Sequence, residues 1–99
     1  MELAHALTLE RARSHVAALA DGARAVEASS SYEHVLIELD RLHGDRSPAL
    51  DTAGLTGDRD VLFAVASSAI EDLQDHGIDV LDVEVLLARL DEARSLEGS

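Results

Sequence analysis

The chain has 99 residues and carries 20 acids against 8 arginines and no lysine, for a formal net charge of −12. A length of this order makes one domain with a modest core. Arginines this few and this scattered cannot replace the counterions on phosphate, so a basic nucleic-acid-binding face is excluded, and an anionic membrane surface would repel the chain.

Leu, Val, Ile and Phe together supply 28 of the 99 residues, above the ~20% below which a charged chain stays disordered. One proline and six glycines leave long runs of Ala, Leu, Arg and Glu, which are good helix formers. The expected fold is all-α: a small antiparallel bundle of four helices, or three if the first two are continuous, open to completion by dimerisation.

The first helix is expected over 9–28, with Thr8 as its cap. Its seam, Leu9, Ala12, Val16, Leu19, Ala23 and Val26, steps by three and four residues and alternates large with small, which lets a partner helix approach closely. The seam is therefore a candidate homodimer interface; packing within the chain is the alternative. The serines Ser29, Ser30 and Ser31 interrupt it. Ser30 followed by Glu33 has the form of a capping box, so a second helix is expected over 31–43, with Tyr32, Val35, Leu36, Leu39 and Leu42 on one face and Gly44 ending it. A single helix with a stutter at the serines is the competing reading.

Residues 44–57 form the one long connection, with Leu50 and Leu55 expected to tuck onto the core. Asp58 or Thr56 then caps a third helix over 58–76, with Leu62, Val65, Ala66, Ala69, Ile70 and Leu73 inward. Gly77 has the place of a left-handed residue in a Schellman motif, which would set Ile78 on Leu73. Asp79 caps a fourth helix over 79–95, with Val83, Leu86, Leu87, Leu90 and Ala93 as its core face. The stretch Ile78-Asp-Val-Leu-Asp-Val-Glu-Val also alternates as a strand would, but a lone strand finds no partner elsewhere in the chain.

The charge is uneven. Residues 1–50 hold 8 acids and 5 arginines, for −3, whereas residues 51–99 hold 12 acids and 3 arginines, for −9. The acidic half reads as a solvated face, as a docking surface for a basic protein, or as a divalent-cation site. For the last, Asp72, Asp75, His76 and Asp79 recur at i, i+3, i+4 and i+7 and are the candidate metal ligands. An EF-hand is excluded, because Gly77 at its sixth position would put Val83 where the bidentate carboxylate belongs.

Glu2-x-x-His5 and Asp40-x-x-His43 echo the Glu-x-x-His pairs of di-iron bundles. A terminal Glu2 and an Asp in place of the second Glu set that reading aside. His43 and His76 instead precede helix-ending glycines, where an imidazolium suits the helix dipole. His15 and His34 fall at the borders of helix faces.

Without cysteine there is no disulfide, thiol nucleophile or Cys-based zinc site. No Gly-x-Ser-x-Gly elbow, Walker loop or dinucleotide loop is present. No cofactor is expected. The N-terminus lacks the features of a signal peptide and no apolar run would span a membrane, so the cytoplasm is the expected location. The absence of Lys and Asn beside 16 alanines fits a high-GC bacterial genome. The expected function is a non-enzymatic protein–protein interaction or self-association module, whose partner is itself or a basic protein. An acidic inhibitor of the antitoxin or nucleic-acid-mimic type and a divalent-cation protein are the alternatives.

Overall fold

The computed structural model describes residues 2–44, 52 and 54–97. Four helices follow one another: α1 Leu3–Gly22, α2 Val26–His43, α3 Arg59–Asp72, continued by a 3-10 turn Leu73–His76, and α4 Val80–Glu97. The fold is an all-α bundle, with no strand among the described residues. α1 packs on α2 and α3, and α4 packs chiefly on α2. Long-range contacts make each of these pairs antiparallel. Arg13 meets Asp40, Tyr32 meets Glu97, and Arg59 meets the Leu19 carbonyl.

The second half of the chain is bounded where local chemistry bounds it. Asp58 caps α3, its carboxylate accepting from the Asp60 and Val61 amides at 2.9 and 3.3 Å. Gly77 is left-handed at φ 96°. The Ile78 amide donates to the Leu73 carbonyl at 3.2 Å, and Ile78 packs on the core that holds Leu73. Asp79 accepts from the Leu81 amide at 2.8 Å at the start of α4.

The first half is bounded elsewhere than its residues suggest. α1 starts at Leu3, six residues ahead of the expected start. Thr8 lies inside the helix, its hydroxyl donating back to the Ala4 carbonyl at 2.9 Å, so it caps nothing. The break falls at Ala23–Ala25, and the three serines lie within α2, where no side chain caps the start. Side chains from elsewhere explain the position. Ser29 Oγ donates to the Ala20 carbonyl at 3.0 Å, and Arg59 Nη2 donates to the Leu19 carbonyl at 2.8 Å. Both carbonyls belong to the last turn of α1, where i+4 amides run out; the Ala20 carbonyl also accepts from the Ala23 amide at 3.4 Å. A Cβ on Gly22 would stand 2.5 Å from Arg59 Nη1, so any larger residue there would push the guanidinium aside.

The core is aliphatic apart from Tyr32. Leu9, Ala12, Val16 and Leu19 are all fully buried within it. Four of the six seam residues are thus packed inside the single chain. Ala23 is half-buried, and Val26 is 80% exposed at the start of α2. Leu55 packs against the core as expected; Leu50 lies outside the described residues.

Candidate functional site

The acids proposed as metal ligands do not converge. Asp72, Asp75 and Asp79 are exposed, Asp79 is engaged as a cap, and His76 turns the other way, toward α1. Among the described residues, no group of three or more His, Asp or Glu side chains is arranged to hold a metal ion.

Three histidines from separate elements meet at one end of the bundle. The His5 and His43 Nε2 atoms are 3.0 Å apart. The His5 ring stacks on His76 with centroids 5.1 Å apart and planes 7° from parallel. His43 is buried, and its Nδ1 lies 2.7 Å from the Leu39 carbonyl. A carbonyl only accepts, so Nδ1 carries the proton; in the neutral ring Nε2 is then an acceptor, and His5 donates to it. Burial holds His5 below its ordinary value of 6.5, reinforced by the nearby charges of His43 and His76 and by the chain's amino terminus; Glu2 works in the opposite direction. A lowered folded value means that the unfolded chain binds the proton more readily. The stability His5 contributes is therefore present above pH 6.5 and is lost as the pH falls through that value toward the lower folded one. Melting temperature should accordingly drop between pH 7.5 and 5.5, and a His5→Asn variant should flatten the slope. An equal slope in the variant would contradict this. Loss of net negative charge as the pH falls cannot mimic the effect, because reducing self-repulsion would stabilise the chain.

The opposite end holds a polar network. Glu97, on the last turn of α4, accepts from the Tyr32 hydroxyl and pairs with Arg59. Burial, then the hydrogen bond to Glu97, pushes the Tyr32 hydroxyl far above its ordinary range. Beside the network, Arg94 lies 4.4 Å from the centre of the Phe63 ring and 2.6 Å from Asp60. An open cavity of about 370 Å³ is formed here by residues of all four helices and of the α1–α2 link.

The third feature is the outer face of α4. The helix turns Val83, Leu86, Leu90 and Ala93 inward. A second apolar stripe, Leu81, Val85 and Ala88, runs at i, i+4 and i+7. Each of its members lies two residues, about 200°, from an inward position. Leu81 is 67% exposed and Val85 47%, and Ala88 is exposed as well. Exposed Glu84, Asp91 and Glu92 and half-buried Asp82 lie along the same helix with Arg89, and Arg41 of α2 approaches Asp82. Between Arg59 and Arg89 the sequence has no Lys or Arg, and Glu71, Asp72, Asp75, Asp79, Asp82 and Glu84 all fall in that interval.

Comparison with family models, with curated proteins and with solved structures finds no match. Among the described residues no helix is long and apolar enough to cross a membrane.

Proposed function

We propose that the chain is a small non-enzymatic docking module that holds a basic amphipathic helix of a partner protein against the outer face of α4. The observation that carries this reading is that α4 is apolar on two opposite faces and the bundle uses only one. An apolar stripe at helical spacing is what a partner helix reads as i, i+4 and i+7 anchors. The charge around the stripe selects the partner. A second copy of the same face would set Glu84, Asp91 and Glu92 against their own kind, whereas lysines or arginines flanking a partner's apolar stripe would meet opposite charge.

A synthetic helix of leucine and lysine, with leucines at i, i+4 and i+7, is a suitable probe. Its binding should weaken steeply with added salt. Replacing Leu81 and Val85 together by serine should cost at least about tenfold in affinity, since burying each such side chain contributes about 1.5–3 kcal/mol, while the chain stays folded with a cooperative melt. A charge-reversed helix of leucine and glutamate should not bind. Equal binding of the lysine peptide by the double variant, or binding indifferent to salt, would refute the reading.

A further inference from the structure

The geometry points to a second, independent binding site: the cavity at the α1–α2 link takes a small organic anion, a carboxylate carried on a flat apolar body. The chain is at −12, yet three of its eight arginines, Arg24, Arg59 and Arg94, line this one cavity beside only two acids, Asp60 and Glu97. Here the sign of the surface inverts locally. A volume of about 370 Å³ lies within the range of small-molecule sites, roughly 300–1,000 Å³.

The three guanidiniums are not equivalent. Arg59 is committed to the structure, since it donates to the Leu19 carbonyl and pairs with Glu97. Arg94 is held in place over the Phe63 ring, but its pair with Asp60 is exposed on both sides, and such pairs are weak. An incoming carboxylate can replace Asp60 while Phe63 keeps the guanidinium where it is. Arg24 stands exposed on the link between α1 and α2, and no hydrogen bond or ion pair engages it among the described residues. Planar guanidinium forks match a carboxylate in a way that a point charge does not. The rest of the wall is apolar or aromatic, with Ala25, Phe63 and the bare Cα of Gly22. That surface would be wasted on a bare inorganic anion.

Benzoate is the test probe, titrated into isotopically labelled protein and followed by amide shifts, with inorganic phosphate and benzyl alcohol as comparisons. Saturable shifts over Gly22–Ala25 and around Phe63 are expected with benzoate, and neither comparison should reproduce them. Arg24→Gln should weaken benzoate at least fivefold without altering the melting temperature, because Arg24 has no structural partner to lose. Arg94→Gln should weaken it similarly. The proposal is overturned if benzoate produces no shifts at tens of millimolar. It is also overturned if benzyl alcohol binds equally, which would make the cavity a merely apolar hollow, or if phosphate binds as tightly with the same sensitivity to both variants. None of these residues belongs to the outer stripe of α4, so failure here leaves the docking reading untouched.

Discussion

Replacing Leu19 by glutamate should unfold the chain. Leu19 is fully buried in the core that α1 shares with its neighbours. Truncating such a leucine costs about 2–5 kcal/mol through lost burial and the cavity left behind, and a buried, unpaired carboxylate adds several more. A domain of this size has about 5–15 kcal/mol in all. Circular dichroism should therefore show loss of the cooperative thermal transition at neutral pH. The same substitution separates the two roles open to the Leu9–Val26 seam. On an intermolecular seam, glutamate would leave a folded monomer of halved mass by light scattering. A Leu19→Glu chain that melts cooperatively at the wild-type temperature would show that the seam is not the core.

Removing the carboxylate of Glu97 should cost about 1–3 kcal/mol, the penalty for leaving a buried hydroxyl without its partner. Glu97 is the shared acceptor of Tyr32 and Arg59 and ties the end of α4 to α2 and α3. Arg59 is partly exposed, so water offsets much of its loss, and the larger share falls on Tyr32. Glu97→Ala in urea denaturation should shift the midpoint downward. Tyr32→Phe deletes the donor along with the need for an acceptor and should cost less. The double variant should then cost clearly less than the two single losses together, because one hydrogen bond is being removed twice. Strict additivity would mean that the two side chains do not act on each other.

These residues also show what the sequence makes legible. Asp58, Gly77 and Asp79 act on their own neighbours, within five residues, so the limits of α3 and α4 follow from local chemistry. The end of α1 does not, because it depends on Arg59, forty residues away, reaching Leu19. The serine triplet has the composition of a cap, but Ser29 serves the previous helix instead of its own. A heptad seam looks the same whether its partner lies in the same chain or in another, so spacing alone cannot place it. The histidine cluster joins positions 38 and 71 residues apart, and only the antiparallel packing of α1 against α2 and α3 brings them together. The alternation from Ile78 to Val85 is plain in the sequence, but its meaning is not. On a helix, apolar residues two apart lie on opposite faces, so a strand-like pattern becomes a helix with two apolar stripes.

The most direct measurement of the central claim is an amide-shift map of the labelled protein titrated with the leucine–lysine helix at low salt. The docking account expects shifts confined to Leu81, Val85, Ala88 and their acidic neighbours through Glu92, with α1 silent. Shifts spread evenly over the acidic surface, or centred on another helix, would contradict it and leave the outer face of α4 as solvated surface.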